Sequence, residues 1–368
     1  MKKGIKTEGQ QDNKTRGKYP EGCTVGLDIG DEYTHAAVLN SDGAMLMEER
    51  MRTREPEMRK WLSSGPAALV ALETGTHSRW IAQVARQCGH EVIVANAREL
   101  RLIYGGTNKH DRMDARKLAR MARVDPELLK PVKLRGERQQ SDLAMIGARE
   151  LLVNMRSKAI NMVRGTVKAA GTRVEACGSG SFPQYAAEVM PEDLKNALAP
   201  VLELLDELNN RILEYDERIE HLAEERYPEV KLLTQVHGVG TLTALMFMLT
   251  IGDPWRFQRS RDVGCYLGLR PKRNQSGDRD PQLGISKAGN SRLRKTLVNC
   301  AHVILGRFGA DCDLRRWGLK LAGTGRNTKK RAIVAVARKL AVLLHVLWTT
   351  GEEYRPLREV NVAAEVAA

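Results

Sequence analysis

The stretch Thr24-Val-Gly-Leu-Asp-Ile-Gly-Asp-Glu-Tyr-Thr-His-Ala-Ala-Val-Leu-Asn-Ser-Asp-Gly-Ala-Met-Leu-Met-Glu48 decides the fold of the first third of the chain. Thr24–Ile29, His35–Leu39 and Ala44–Glu48 are short runs of strand character, separated by the turn-like Asp31-Glu32 and Ser41-Asp-Gly43. Strands this close in sequence predict an antiparallel meander. Further on, a helix around Pro56–Leu62 precedes an apolar strand at Ala67–Glu73, and a helix at His77–Cys88 precedes a strand at Glu91–Ala95. Alternation of strand and helix implies parallel pairing with right-handed crossovers.

Carboxylates sit at telling places in this pattern. Asp28 lies in Val25-Gly-Leu-Asp-Ile-Gly30 and Glu73 in Leu69-Val-Ala-Leu-Glu-Thr-Gly75, each at the end of an apolar run. Asp111 and Asp114, in Lys109-His-Asp-Arg-Met-Asp-Ala115, are spaced to share one face of a helix. Strand-end acids of an open α/β sheet converge at its carboxyl edge. Oxygen-only ligands gathered there suit two divalent ions roughly 4 Å apart, bridging a phosphodiester. The plainer alternative is a set of solvated acids. Three antiparallel strands followed by β-α-β-α is also the element order of a ribonuclease H-like fold. Actin-like ATPases begin the same way, but no convincing second and third phosphate motif follows.

The middle of the chain is helical. Residues 98–135 are strongly basic, and 138–170 read as one long helix. Leu194, Leu198, Val201, Leu205, Leu208, Ile212, Tyr215, Ile219 and Leu222 form a heptad seam. Pro200 can start a helix but not lie inside one, so a continuous coil is expected to begin there. The seam is expected to fold back on the 138–170 helix as an antiparallel hairpin, and to support oligomerisation. After Tyr227-Pro228 the chain reads as helices around Glu229–Val236, Thr241–Thr250, Arg261–Leu267, Asn290–Gly306 and Lys329–Thr349, with Ser291 as an expected N-cap. The Gly238-Val-Gly240 turn between two of these helices resembles the hairpin of helix-hairpin-helix modules, where backbone N–H groups bind a DNA phosphate. An ordinary tight turn fits equally well. The segment Gly268–Asn290 is too long and polar for a mere connection. It holds Ser276 next to Gly277, which permits close backbone approach, among Arg270, Lys272, Arg273 and Arg279, with Lys287, Arg292 and Arg294 downstream. On the residues alone, the plainer reading of Ser276 is a surface serine, because a hydroxyl needs a metal or base to become a nucleophile.

Composition narrows the partners. The chain has 368 residues, with Lys plus Arg at 59 against Asp plus Glu at 45, a net charge of +14. That excess favours a polyanion. Aromatic residues make up only 5%, which argues against base stacking as the main recognition mode. The six cysteines are scattered without a Cys-x-x-Cys pair, which argues against structural zinc and fits a reducing, cytoplasmic setting. Residues 1–22 read as a disordered basic tail with no apolar core, so no signal peptide is expected. Ala332–Trp348 is interrupted by Arg338, Lys339 and His345, and reads as a buried helix, not a membrane span.

Taken in order, these motifs resemble the insertion-sequence 110 family of transposases, which includes the Piv-type DNA invertases. The resemblance covers roughly residues 24–350. Its motifs are Glu73-Thr-Gly75, Lys109-His-Asp-Arg-Met-Asp-Ala115, the Gly-x-Gly hairpin, Gly268-Leu-Arg-Pro271, Gln275-Ser-Gly277 and Gly284-Ile-Ser-Lys-Ala-Gly-Asn290. His110 stands where the family has threonine, and one serine precedes Gly277 where many relatives have two. The resemblance implies a RuvC-like domain over 23–135 whose Asp-Glu-Asp-Asp tetrad falls on Asp28, Glu73, Asp111 and Asp114 and binds Mg²⁺. It implies helical, oligomerising coils over 136–227 and an all-α transposase domain over 228–350 with Ser276 as nucleophile, followed by a tail over 351–368. It further implies a 5′-phosphoserine link to double-stranded DNA, a composite site shared between subunits, and a bridge RNA that pairs with donor and target.

The resulting expectation is an RNA-guided DNA recombinase, assembled as a dimer of dimers without a membrane partner. Lys109, Arg112, Arg116, Gly238, Gly240, Arg270, Lys272, Arg273, Lys287, Arg292 and Arg294 are expected to hold nucleic acid. The main alternative is a ribonuclease H-like junction resolvase with water as nucleophile. A non-catalytic nucleic-acid scaffold with a degenerate metal site is a further one.

Overall fold

The computed structural model of the protein describes residues 18–97 and 111–357, apart from Asp278, Asp280 and Gln282 and the side chains of 111–113, 326 and 327. The chain divides into two compact units, Met1–Leu134 and Arg135–Ala368.

The first unit is built on a five-stranded sheet of order β3-β2-β1-β4-β5, from β1 (Thr24–Ile29), β2 (Tyr33–Leu39), β3 (Met45–Arg52), β4 (Leu69–Glu73) and β5 (Glu91–Ala95). The meander pairs antiparallel, Thr24 opposite Leu39 and His35 opposite Arg50. Strand β4 lies parallel to β1 and β5 parallel to β4. The crossovers are α1 (Glu55–Leu62) and α2 (Ser78–Gln87). Both sit on one face, where Met58, Trp61, Leu62, Ile81 and Ala85 pack on Val25, Leu27, Val70 and Leu72. The alternating residues Ala71, Ile93 and Ala95 face the other way and pack on Leu118, Ala122 and Leu129. Leu118 and Ala122 belong to α3 (Asp111–Val124), the described helix that covers the second face.

Gly26 makes that second face possible. A Cβ there would lie 2.0 Å from the Ala115 carbonyl oxygen and 2.6 Å from the Ala119 amide nitrogen, so α3 rests directly on the backbone of β1. The unit is already ordered at residue 18, earlier than the expected tail boundary. The Lys18 amide donates to the Ser64 carbonyl (2.6 Å), and Tyr19 is buried against Trp61. This corrects the expectation for 18–22. The buried ring supplies an apolar anchor that a tail read only as polar and basic conceals.

In the second unit, α4 (Glu137–Ala169) and α6 (Glu192–Arg226) run antiparallel: Asp142 meets Arg226 and Tyr227, Arg149 bonds Asp216, and Arg156 donates to Asn209 (2.9 Å). The seam residues Leu205, Leu208, Ile212, Ile219 and Leu222 are buried between them, in the hairpin expected from the heptads. Pro200, however, lies inside α6, and the helix begins eight residues earlier than it, at Glu192. The missing backbone bond costs about 3 kcal/mol. Leu194, Leu198 and Val201 offset it by packing on the cluster around α5 (Phe182–Val189), with Phe182 at its centre.

The remaining helices are α7 (Val230–Thr234), α8 (Thr241–Ile251), α9 (Asp262–Tyr266), α10 (Ser291–Leu305), α11 (Asp313–Ala322) and α12 (Arg326–Thr350). Helix α11 has no counterpart in the sequence expectation. Helix α8 is buried from Thr243 to Ile251 and forms the centre of a core shared with Ile146, Ile219, Leu222, Leu297 and Leu340. Among the described residues one helix, Thr328–Thr350, is long and apolar enough to cross a membrane. Its Ala332, Val336, Ala337, Leu340, Ala341, Leu344 and Leu347 all lie in the protein interior.

Because only hydrogen fits at position 26, Gly26→Ala must push α3 off the sheet. It is expected to destabilise the first unit by about 1–3 kcal/mol, read from urea unfolding. An unchanged midpoint would contradict the packing described.

Candidate active site

Strand register brings Asp28 and Glu73 together on the sheet. The last β1–β4 pair is Leu27 with Leu72, and each acid lies one residue beyond it. Side chains alternate along a strand. Asp28 therefore shares the face of Gly26, and Glu73 that of Ala71, which is the face covered by α3. The direction of α3 follows from its far end. There Arg123 donates to the Ser41 carbonyl (2.9 Å), in the β2–β3 turn beside the start of β1. Helix α3 thus runs antiparallel to β1, and its first turn, with Asp111 and Asp114, points to the edge where Asp28 and Glu73 emerge.

Asp28, Glu73 and Asp114 are each partly exposed. Lys117 Nζ lies 3.4 Å from Asp114 Oδ1. The side chain of Asp111 lies outside the described residues, as do Lys109 and the side chain of Arg112. Among the described residues, no three His, Cys, Asp or Glu side chains are gathered closely enough to hold an ion. The donor set itself fits a hard divalent cation: it consists of carboxylates only, on one edge, without a soft ligand.

A contact that the sequence did not disclose links the two loops beyond these acids. His77 Nε2 lies 3.2 Å from Asp31 Oδ1, and Trp80 Nε1 donates to His77 Nδ1 (3.0 Å). The indole fixes Nδ1 as acceptor, so Nε2 carries the proton and donates to Asp31. Asp31 and His77 follow Asp28 and Glu73 by three and four residues. That parallel placement after paired strands was the available signal.

Ser276 lies at the tip of a hairpin rather than in a structureless loop. The Ser276 and Arg279 backbones exchange both hydrogen bonds, each 3.1 Å. Lys272 N then bonds Gly284 O (2.9 Å), Ser286 N bonds Arg270 O (2.8 Å) and Lys287 N bonds Gly268 O (3.1 Å). Gly277 adopts φ +55°, as the first residue of a two-residue hairpin loop requires. A Cβ on it would meet nothing within 4 Å in this chain, so within the chain its role is the turn. Ser276 is exposed, and its Oγ makes no hydrogen bond among the described residues.

The foot of the hairpin is tight. A Cβ on Gly268 would lie 2.2 Å from Ala288 O, and one on Gly289 would lie 2.0 Å from Tyr266 O. Lys287 is left-handed at φ +56°, an uncommon strain for a residue with a side chain. Asn290, not Ser291, caps α10, through Oδ1 accepting from Leu293 N (3.0 Å). Ser291 was expected there, but its neighbour's longer side chain reaches the third amide.

The expected nucleic-acid residues divide. Arg270, Lys272, Arg273 and Lys287 are exposed along the hairpin. Gly238 takes φ +85° in the turn before α8, and Gly240 is the exposed N-cap. For Arg116, Arg292 and Arg294 the intramolecular partners are defined. The Arg116 guanidinium bonds Glu48, which holds its pKa above the usual value. Arg292 pairs with Glu150 (2.9 Å) across Gly147. Arg294 donates to the Leu267 and Ala288 carbonyls (2.9 and 2.8 Å).

Comparison with known proteins matches both halves. A family profile for DEDD transposases of the IS110 type, described as "Transposase", covers residues 25–171. One described as "Transposase IS116/IS110/IS902 family" covers 230–315. The transposase for insertion sequence element IS1328 of Yersinia enterocolitica is 28% identical over 342 residues, spanning 90% of this chain and 98% of the relative. The transposase for insertion sequence element IS1111A of Coxiella burnetii is 31% identical over 258 residues, 68% and 70% of the two chains. The pilin gene-inverting protein of Moraxella bovis is 24% identical over 284 residues, 76% and 79%.

The arginine partners give a test. Lys272→Ala is expected to lower the slope of log affinity for DNA against log salt by about one, measured by fluorescence anisotropy. Arg116→Ala, whose charge Glu48 already engages, is expected to leave the slope unchanged. The reverse ranking would refute this division.

Proposed function

The chain belongs to the IS110 family of transposases, and from that premise we propose that it cuts and rejoins DNA with Ser276 as nucleophile. The observation that carries the proposal is the pairing of β1 and β4, which sets Asp28 and Glu73 side by side on the edge to which the first turn of α3 points. The strand order β3-β2-β1-β4-β5 supports a ribonuclease H-like reading of this unit.

Asp28, Glu73, Asp111 and Asp114 would hold Mg²⁺, in a two-ion arrangement. When bound, it supplies Lewis-acid activation of a hydroxyl and neutralises charge on the phosphate. Ser276 Oγ attacks phosphorus, the bond from phosphorus to the 3′ oxygen breaks, and the seryl proton is balanced by the one gained by the departing 3′-hydroxyl. A 5′-phosphoserine ester results. Attack by another strand's 3′-hydroxyl reverses the step and regenerates the serine, so no outside energy source is needed.

Among the described residues Ser276 Oγ has no hydrogen-bond partner, which supports a composite site with the carboxylates as the activating partner. Exposed Arg270, Lys272, Arg273 and Lys287 would hold DNA backbone beside the serine. The first amides of α8, beyond the bare N-cap Gly240, would take a phosphate in the manner of a helix-hairpin-helix. A bridge RNA would read sequence by base pairing, in keeping with a basic, aromatic-poor chain. Leu151, Leu204 and Leu213 are exposed on α4 and α6 and support homo-oligomerisation through the long helices into a dimer of dimers. The proposed setting is the bacterial cytoplasm.

Ser276→Ala and Asp28→Ala are each expected to abolish strand exchange on a plasmid carrying element ends and the structured RNA. Full exchange by either would refute the proposal. Calorimetric titration with Mg²⁺ is expected to give binding in the wild-type chain that Asp28→Ala weakens at least about tenfold. Identical isotherms would remove the metal assignment.

A further inference from the structure

The hairpin that carries Ser276 is joined to the helical core by a narrow foot, and one side chain spans it. Arg294, on the first turn of α10, is half-buried, and its Nη1 donates to Leu267 O (2.9 Å), the C-cap of α9 where the chain enters the hairpin, and to Ala288 O (2.8 Å) on the segment leaving it. These carbonyls flank the points where the two chains touch backbone to backbone, at Gly268 and Gly289. The next residue outward, Lys287, is held at φ +56° while its amide bonds Gly268 O. Helix α10 is itself anchored, with Leu293, Leu297, Cys300, Ala301 and Ile304 buried. Arg294 therefore couples the rigid core to both feet of a lever whose other end is Ser276.

We propose that Arg294 is a positioning residue for Ser276: its guanidinium fixes the angle at which the hairpin leaves the core, and so the place of the seryl oxygen at the tip. The proposal rests on the reading of Ser276 as nucleophile. Both bonds leave the single Nη1, which lies one bond further from Cα than a lysine ammonium reaches, so the same charge on a lysine falls short of the two carbonyls. A displacement of about 1 Å at a reacting atom can cost about a hundredfold in rate. A side chain that sits at the foot and not at the tip can therefore control the chemistry without touching the DNA.

The experiment uses the full chain with element-end DNA and the structured RNA. It compares wild type, Arg294→Lys, Arg294→Ala and Ser276→Ala. Three quantities are read: the single-turnover rate of covalent protein–DNA adduct formation, DNA affinity, and amide hydrogen exchange over residues 268–289. The proposal expects Arg294→Ala to lose about a hundredfold in adduct rate and Arg294→Lys to lose less. DNA affinity and the thermal midpoint stay near wild type, and exchange rises in the hairpin but not in α8. Millimolar guanidinium is expected to restore part of the rate to Arg294→Ala. A wild-type rate in Arg294→Ala would overturn the proposal. So would a loss of rate that tracks a loss of affinity and thermal midpoint and does not respond to guanidinium, since that is ordinary unfolding. An adduct formed equally by Ser276→Ala would overturn the nucleophile assignment, and the positioning role with it. Rate loss in Ser276→Ala with none in Arg294→Ala would sink the positioning role alone.

Discussion

Hydrogen in place of a side chain at position 26 is the constraint on which the first unit depends. The Ala115 carbonyl and Ala119 amide occupy the space of a Cβ, so α3 lies closer to β1 than any side chain would allow. That contact fixes the helix along the strand as well as against it. It sets Ala115 against Gly26, with Asp114 one residue nearer the end of the strand that carries Asp28. Parallel pairing then adds Glu73 without further adjustment, because register alone puts it beside Asp28. Asp28 and Glu73, distant in sequence, are brought to neighbouring strand ends by that pairing.

The second unit solves a different problem. A serine hydroxyl is a weak nucleophile, and an exposed one without a hydrogen-bonding partner stays inert until something activates it. Among the described residues Ser276 is exposed and its Oγ has no hydrogen-bond partner, on an arm held by a backbone ladder and a tight foot. The long antiparallel helices join the same core, through Ile146 on α4 and Ile219 and Leu222 on α6.

Much of the scaffold was legible in sequence, because hydrophobic period carries it. Strands Thr24–Ile29 and Glu91–Ala95 fall where alternation and turn residues place them, and the heptad seam predicts the antiparallel pair. What period cannot carry was missed. Pro200 sits inside a helix because distant packing around Phe182 outweighs a local rule. The Gly268–Asn290 segment has few apolar residues in alternation, so its backbone ladder left no mark, and neither did the turn that Gly277 makes. Arg116, Arg292 and Arg294 read as generic positive charge. Their partners, a glutamate on β3, a glutamate on a long helix and two carbonyls, are set by tertiary structure alone. The same holds for His77 with Asp31. The types of the candidate residues were visible, whereas their neighbours were not.

The most direct measurement of the central claim is the identity of the amino acid joined to DNA. Element-end DNA is incubated with the chain, its RNA and Mg²⁺, quenched in denaturant, digested with protease and nuclease, and sequenced by mass spectrometry. The account predicts a phosphonucleotide attached through its 5′ phosphate to the peptide containing Ser276. Cleaved DNA bearing free 5′ phosphates, with no residue of the chain attached, would contradict it and leave water as the nucleophile.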